Sequence, residues 1–410
     1  MRLLHTSDWH LGHTLHDQSR EYEHECFLNW LLALIGEERA DALLVSGDVF
    51  DTANPPAASQ TAFYDFLAQA RTRFPALDVI VIGGNHDSAS RLDAPDAILS
   101  RLNVRVVGGF TRDGRPRELI FPLRGSDDAI AAWVAAVPFL RASDLRRDGE
   151  SRTLDDAAAV SSLYASVLDE ARARRTTGQA LIATGHCYMV GTCISELSER
   201  KILGGNQNAL PESIFPSDVA YAALGHLHLA QTVGGREEVR YSGSPIPLAM
   251  SEIDYPHQVC VVDFDGERLA SVRAVRVPRF VPLLRVPARA AAPLDDVLAE
   301  LVRLPCEGDH PERAPFLEVH VLLEKPDATL RTQVEAALRA RDVRLMGIVS
   351  HYPGGAGSLG DQGVDATLAQ VTPETVFAGA YRRKFDGDPP PELRAAFHEL
   401  IETVGQEVAQ

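Results

Sequence analysis

Short apolar runs alternate with stretches of helical hydrophobic spacing along the first two-thirds of the chain. One run opens at Leu3 and ends at Asp8, and the other predicted buried strands lie at 42–45, 79–82, 181–183 and 221–224. Between the first two runs, residues 21–39 carry apolar side chains at helical intervals, namely Phe27, Trp30, Leu31, Leu34 and Ile35. Because strands that alternate with helices form mainly parallel sheets, the pattern predicts an α/β fold.

The pattern changes towards the end of this region. The apolar runs at 259–264 and 270–277 have no helix between them, which predicts that the sheet becomes antiparallel there. A shift in composition near 278–280 then introduces a small α+β module. Its predicted elements are an apolar run at 281–286, a helix at 294–303, a strand at 316–322, a helix at 329–341 and a final run at 343–349.

These patterns divide the chain into four predicted segments. They are a first domain at 1–277, the module at 278–352, a glycine-rich linker at 353–371 and helices at 372–410. The last helix carries an apolar stripe of Leu393, Phe397, Leu400, Ile401 and Val404. Because the linker leaves this helix little of its own domain to pack against, the stripe predicts a groove on another chain. The alternative is that the helix folds back on the module.

Composition and charge bear on whether the chain is a nucleic-acid binder, a membrane protein or a secreted protein. The chain has 410 residues, with 40 Lys and Arg against 57 Asp and Glu, so its net charge is −17. This charge disfavours a self-sufficient nucleic-acid binder, although metal ions and a partner could supply positive charge to a nuclease subunit. No apolar run approaches the ~20 residues of a membrane helix, and the start turns polar too soon for a signal peptide. Five cysteines without a CxxC pair favour a reducing cytoplasm over a disulfide framework.

Candidate metal ligands follow the predicted strands. The stretches are Asp8-Trp9-His10, Gly47-Asp48-Val49-Phe50-Asp51, Gly84-Asn85-His86-Asp87, Gly185-His186 and Gly225-His226-Leu227-His228. Each stretch on its own can be explained without a metal, as a turn, an Asx-turn or a hydrogen-bonded structural histidine. Together they offer oxygen and imidazole donors without thiolates, which suits Mn²⁺, Fe or Zn²⁺. Two such ions roughly 3.5–4 Å apart can bind a phosphate between them, so the combination predicts a bimetallic phosphoesterase.

The order of these motifs resembles a known family. D-x-H, G-D-x-x-D, G-N-H-D, G-H and G-H-x-H are similar to the signature of the calcineurin-like metallophosphoesterase superfamily. The longer stretches 1–12, 47–52, 84–88, 183–186, 223–228 and 241–248 resemble the Mre-type break-repair nucleases of that superfamily. The resemblance implies two packed mixed β-sheets flanked by helices, followed by a small α+β capping domain and C-terminal helices.

The resemblance also implies a role for each site residue. One metal would be held by Asp8, His10, Asp48 and His228. The other would be held by Asp48, Asn85, His186 and His226, with Asp48 bridging. His86 would contact the phosphate and help to protonate the leaving oxygen, and Asp51 would orient His86. The alternative for Asp51 is a carboxylate at a helix N-terminus. His13, His16 and His24 are expected to be solvated.

The function implied by the resemblance is a two-metal, manganese-dependent DNA phosphodiesterase. Water would attack phosphorus and displace a sugar oxygen, in 3′→5′ exonuclease action on duplex ends, endonuclease action on single strands and opening of hairpins. An ATPase partner, a homodimer within a heterotetramer, and roles in recombination, replication and repair are implied as well. The alternatives are a small-molecule phosphodiesterase, for example one acting on cyclic nucleotides, and a non-catalytic scaffold. A scaffold would be expected to have lost some of the ligands, and all seven are present.

Overall fold

A computed structural model describes most of the chain, namely residues 1–110, 114–140, 142–145, 156–193, 209–305, 310–352 and 381. Residues 1–351 form one compact unit and residues 352–410 a second. The predicted linker and almost all of the C-terminal helices, including the stripe from Leu393 to Val404, lie outside the described residues.

The helices and strands alternate as the sequence predicts for the first domain. The helices are α1 Glu21–Glu38, α2 Ala57–Arg73, α3 Ala89–Asp93, α4 Asp96–Leu99, α5 Ala142–Leu145, α6 Asp156–Arg174, α7 Leu294–Leu301 and α8 Leu330–Leu338. The strands of residues 1–277 are β1 Arg2–Thr6, β2 Thr14–Leu15, β3 Gln18–Ser19, β4 Ala42–Ser46, β5 Asp78–Ile82, β6 Val104–Val107, β7 Ile120–Arg124, β8 Ile130–Ala136, β9 Ala180–His186, β10 Tyr221–Gly225, β11 Gln231–Val233, β12 Arg236–Tyr241, β13 Gln258–Asp265 and β14 Arg268–Arg276. Beyond them lie β15 Leu283–Val286, β16 Ala292–Pro293, β17 Phe316–Leu322 and β18 Arg344–His351.

Two six-stranded mixed sheets build the first domain. The first has the order β14-β13-β1-β4-β5-β6 and the second the order β11-β12-β10-β9-β8-β7. In the first sheet β1, β4, β5 and β6 are parallel, whereas β13 is antiparallel to both β1 and β14. The predicted antiparallel arrangement of the late strands is therefore confirmed.

The central strands β4 and β5 of the first sheet are buried on both faces, which explains their continuous apolar sequences. In β4, Leu44 packs towards the second sheet, into a core that also holds Ile182 and Leu224. Its neighbour Leu43 packs on the opposite side, with Phe27 of α1 and other residues of α1 and α2. This sandwich fixes the carboxyl ends of the central strands relative to one another.

A smaller sheet follows between residues 283 and 351. Strand β17 pairs in parallel with β15, β16 and β18. Alternate side chains of β17, such as Leu317 and Val319, pack with Val297 of α7 and Val334 of α8. This leaves Glu318 and His320 on the other face of the strand. No described helix is both long enough and apolar enough to cross a membrane.

Candidate metal centre

The predicted ligands lie at the carboxyl ends of strands from both sheets. Asp8 follows β1, Asp48 follows β4 and Asn85 follows β5, while His186 ends β9 and His226 follows β10. The loops are tied by backbone hydrogen bonds of 3.0 Å, from the Asp8 N–H to the Gly47 carbonyl and from the His10 N–H to the Asp48 carbonyl. Residues that are distant in sequence thus meet at one edge of the sandwich, as ligand sites in α/β sheets commonly do.

Several of these residues adopt left-handed backbone conformations. The φ angles are 54° for Asp8, 46° for His10, 49° for Asp48 and 103° for His226. For residues other than glycine, such conformations cost on the order of 1–3 kcal/mol each and occur preferentially at functional sites. These conformations bend the loops, so that side chains two positions apart, such as Asp8 and His10, lie close together.

Glycines of the motifs make room for the ligands. A Cβ on Gly84 would lie 2.1 Å from Asp48 Oδ1, and a Cβ on Gly47 would lie 2.3 Å from His186 Nδ1. Both distances are too short for a carbon atom. Only glycine therefore lets the loops pack this closely around the Asp48 carboxylate and the His186 ring.

Asp48 lies at the centre of the cluster. Its Oδ2 is 3.5 Å from His10 Nε2 and 3.3 Å from His186 Nε2. Asn85 Oδ1 lies 2.9 Å from both His186 Nε2 and His226 Nδ1. Donor atoms come within 4.8 Å of one another in three groups, which are Asp8, His10 and His228; Asp8, Asp48 and His186; and His10, Asp48 and His86. The structure thus brings all seven predicted ligands together.

The donors fit divalent cations. His10 Nε2 is buried and has no hydrogen-bond partner among the described residues, although it faces the Asp48 carboxylate. A buried polar atom without a partner is costly, and a cation between the imidazole and the carboxylate would satisfy both. Carboxylate, amide oxygen and imidazole together match the preferences of Mn²⁺, Fe and Zn²⁺.

Without a cation, the electrostatics of the cluster favour a charged Asp48 carboxylate beside a protonated His186 and a neutral His226. Burial acts to raise the pKa of Asp48, but His186 and His10 outweigh it and hold that pKa well below its usual range. Burial opposes a charge on His186, yet the carboxylates of Asp48 and Asp8 raise its pKa to about 9. Burial, together with His186, lowers the pKa of His226 to about 3. A cation bound by Asp48 and His186 would therefore replace a proton.

His86 lies beside the ligands and lines the cleft over them. Its Nδ1 donates to the Asp51 backbone carbonyl at 2.7 Å, and its N–H donates to Asp48 Oδ1 at 2.9 Å. The cleft has a volume of about 250 Å³, and His86 shares its lining with His10 and Leu248 among others. Because Nδ1 is engaged by the carbonyl, Nε2 is the ring nitrogen left to meet a substrate.

Asp51 is near the site, but its carboxylate does not contact His86 as expected. Asp51 Oδ1 lies 3.2 Å from His10 Nδ1, and it is the backbone carbonyl of Asp51 that accepts from His86. The reason is the path of the loop after β4, which turns the carbonyl towards His86 and the side chain towards His10. The helix-terminus alternative does not hold either, because α2 begins only at Ala57.

Two buried carboxylates at the site were not predicted from the sequence. Glu252 Oε1 lies 2.8 Å from His228 Nδ1, and the Glu252 side chain is fully buried. Asp87 accepts the backbone N–H groups of Val49, Phe50 and Gly84 at 3.1, 2.9 and 2.9 Å. Asp87 could have been found as the last residue of G-N-H-D, whereas nothing in the sequence marks Glu252.

The expectation of a solvated His24 is wrong. His24 lies on the inner face of α1 and is only 4% exposed. His13 is half-buried and lines the cleft, while His16 is exposed as expected.

Comparisons with known proteins match two family models to this chain. Residues 1–230 match the model of the calcineurin-like phosphoesterase family. Residues 279–385 match a family described as the type 5 capsule protein repressor C-terminal domain.

Full-length relatives are similar over most of the chain. A protein from Rhodobacter capsulatus, named as the SbcD component of the nuclease SbcCD, is 41% identical over 390 residues, which cover 93% of this chain and 94% of that protein. Proteins of the same name from Escherichia coli K12 and Bacillus subtilis are 37% and 35% identical over 289 residues. Those matches cover 69% and 70% of this chain, and 70% and 72% of the relatives.

Proposed function

Because the chain belongs to the calcineurin-like phosphoesterase family, and within it to the SbcD nucleases, we propose that this metal-dependent nuclease cuts DNA with two divalent cations. The single observation that carries the proposal is the shared position of Asp48. Its carboxylate lies between His10 and His186, with His228 grouped with His10, with Asn85 and His226 next to His186, and with Asp8 close to both histidines. That arrangement is suited to a pair of cations that share one ligand.

Each side chain has a distinct part in the proposed chemistry. Asp8, His10, Asp48 and His228 would hold one cation, and Asp48, Asn85, His186 and His226 would hold the other. When bound, the two cations would activate water as the nucleophile at neutral pH and neutralise the charge that develops on the phosphate oxygens. His86, held through Nδ1 by the Asp51 carbonyl, would contact the phosphate through Nε2 and, as the imidazolium, would give its Nε2 proton to the departing sugar oxygen and be left neutral. Asp51 keeps His10 in place through its carboxylate.

The finer features of the activity are also proposals. We assign Mn²⁺ as the cation, and 3′→5′ exonuclease action on duplex ends, endonuclease action on single strands and hairpin opening as the reactions. The relatives are named as components of the nuclease SbcCD, which supports an SbcC-type ATPase as partner and roles in recombination, replication and repair. The residues 278–352 would act as a capping domain that selects DNA shape.

A nuclease assay on hairpin DNA and on a cyclic nucleotide tests the substrate class. The expected result is Mn²⁺-dependent cutting of the hairpin that stops when a chelator is added and returns with Mn²⁺. The same preparation is expected to leave the cyclic nucleotide intact. Hydrolysis of the cyclic nucleotide without cutting of DNA would instead favour the small-molecule phosphodiesterase.

The partner assignment predicts the behaviour of a shortened chain. A chain that ends near residue 360 retains the compact unit 1–351, so we expect it to stay folded, keep two metals and cut simple DNA substrates with Mn²⁺. It should no longer co-purify with an SbcC-type ATPase, because the stripe of Leu393, Phe397 and Leu400 is missing. Parent affinity for that ATPase in the shortened chain would show that the stripe belongs to the protein's own core.

We also propose that the chain forms a homodimer within a heterotetramer. Among the described residues, Ile98 is the most exposed large apolar side chain, at 69%, and Leu102 is exposed to 40%. The two lie four positions apart on successive helical turns, so they form a small apolar patch. Ile98→Asp is expected to halve the mass measured by sedimentation, whereas Val302→Asp, at a comparably exposed site outside the patch, is expected to leave it unchanged.

A further inference from the structure

We propose that Glu252 is a positioning residue for His228, and that the turn which carries Glu252 is held in place by the 278–352 module through Arg285 and Met250. The proposal rests on the metal centre of the proposed function, because it assigns His228 as a ligand. It adds a link between the small module and one half of that centre.

The first step is the contact between Glu252 and His228. Glu252 Oε1 lies 2.8 Å from His228 Nδ1, and Glu252 Oε2 accepts the Leu248 N–H at 2.7 Å. Glu252 is fully buried, and His228 is only 6% exposed. A carboxylate on one ring nitrogen fixes the tautomer and the ring orientation, and it makes the other nitrogen a better metal donor. Glu252 therefore sets which nitrogen His228 presents to the site.

The second step is the location of Glu252 on a short turn. Glu252 is the last residue of a one-turn 3-10 helix, Met250–Glu252. Its backbone carbonyl lies 3.2 Å from His257 Nε2. Met250, at the start of the turn, is 4% exposed. It packs in a cluster with Leu15, Val281, Leu283, Phe316 and Met346. Most of that cluster belongs to the module, so the module forms much of the surface on which the turn rests.

The third step is a polar tie from the module to the same turn. Arg285 of β15 donates through Nη2 to the Met250 carbonyl at 3.3 Å. Its Nε pairs with Glu318 Oε2 on β17 at 3.2 Å, and Arg285 and Glu318 are both partly buried. One guanidinium thus bridges two strands of the module and the turn that ends at Glu252. A shift of the module sheet would therefore move Glu252 and, through it, His228.

The link reaches only part of the metal centre. Leu15, in the same apolar cluster, lies in the hairpin that follows His10, so the module also packs against the segment next to that ligand. The contacts described for His186 and His226 are with Ser46, Asn85, Asp48, Asp8 and Phe139, none of which belongs to the module. The module is therefore expected to tune the cation held by Asp8, His10 and His228 more than the other cation.

A metal titration of the full chain tests the proposal, with Mn²⁺ alone as the probe and no DNA present. The parent is expected to bind two ions. Glu252→Ala is expected to bind one of them about 10- to 100-fold more weakly, since losing the partner of a ligating histidine typically has that effect. Glu252→Gln keeps one oxygen that can accept from His228, but it cannot also accept from the Leu248 N–H. The affinity of this variant for the weakened ion should therefore lie between those of the parent and Glu252→Ala. With Co²⁺ in place of Mn²⁺, Glu252→Ala should also shift the visible absorption bands, which report ligand geometry.

Arg285→Met tests the module's part, because it keeps an unbranched apolar side chain but removes the guanidinium. It is expected to weaken the same ion by a smaller factor than Glu252→Ala. Two variants serve as matched controls. Asp78→Ala removes a carboxylate that accepts the Arg124 N–H at 2.8 Å, and Arg331→Met removes an arginine paired with Glu335 at 3.0 Å. Both controls are expected to bind two ions with the parent's affinities.

The outcomes separate this proposal from the proposed function. Unchanged affinities and an unchanged Co²⁺ spectrum in Glu252→Ala would overturn the positioning role, and unchanged affinities in Arg285→Met would overturn the part of the module. A parent that binds two ions but cuts no DNA would overturn the substrate and leave the role of Glu252 standing. A parent that binds fewer than two ions would overturn both.

Discussion

Asp48→Ala is expected to lose both metals and all nuclease activity. The Asp48 carboxylate is the group that faces both sets of donors, 3.5 Å from His10 Nε2 and 3.3 Å from His186 Nε2. Two divalent ions about 4 Å apart repel strongly, and a carboxylate shared between them would offset that repulsion. Without it, neither half of the site retains enough ligands. Elemental analysis of the purified variant and a hairpin-cutting assay measure the two losses.

The control for Asp48→Ala must separate the loss of metal from the loss of fold. Asp93→Ala removes another carboxylate that binds a backbone N–H, that of Gly108 at 2.6 Å, and Asp93 is not one of the predicted ligands. It is expected to keep two metals, and circular dichroism should show both variants folded. A normal metal content in folded Asp48→Ala would show that Asp48 does not bridge.

His86→Ala is expected to keep its metals and its DNA affinity while losing turnover by about 10²–10⁴-fold, the usual contribution of a general acid–base or electrostatic group. The reason is that His86 Nδ1 is already held by the Asp51 carbonyl at 2.7 Å. The ring therefore has one nitrogen left, and we assign it to the phosphate. Single-turnover kinetics with Mn²⁺ at saturating enzyme measure the chemical step directly.

His86 also belongs to a group with His10 and Asp48 whose donor atoms lie within 4.8 Å of one another, so it could instead be a metal ligand. The metal content of His86→Ala decides between the two roles. If His86→Ala loses one ion, His86 is a metal ligand. If the variant turns over within a factor of two of the parent, His86 has no role in the chemical step. His310→Ala, at an exposed histidine outside the cleft, is the matched control and should behave as the parent.

The strands that carry the site were predictable because they are buried on both faces. Strands β4, β5, β9 and β10 read as unbroken apolar runs, and each ends at a glycine or polar motif. Strands β6 and β7 were not predicted, because Arg105 and Pro122 interrupt their apolar sequences, whereas β8 is an apolar run that the prediction missed. Pro122 lies in β7, at the edge of its sheet, where a missing N–H is tolerated.

The ligand positions were predictable because the ligands follow these buried strands, whereas the side chains that contact the ligands were not predictable. A residue that directly follows a buried strand has its place set by that strand. The carboxylate of Asp51 and that of Glu252 depend instead on how long loops bend, and no local pattern encodes this. The burial of His24 could not be predicted either, because a polar side chain is expected on the outer face of a helix and His24 lies on the inner face of α1.

The left-handed backbone at Asp8, His10, Asp48 and His226 has a consequence for how the chain withstands heat. Each such residue lowers the stability of the empty protein, because its conformation is unfavourable without a ligand to hold. A cation that binds only the folded chain adds about 2.7 kcal/mol of stability when its concentration is 100 times its dissociation constant. The melting temperature of this protein therefore depends on the free metal concentration around it, and a chelator weakens the whole fold as well as the active site.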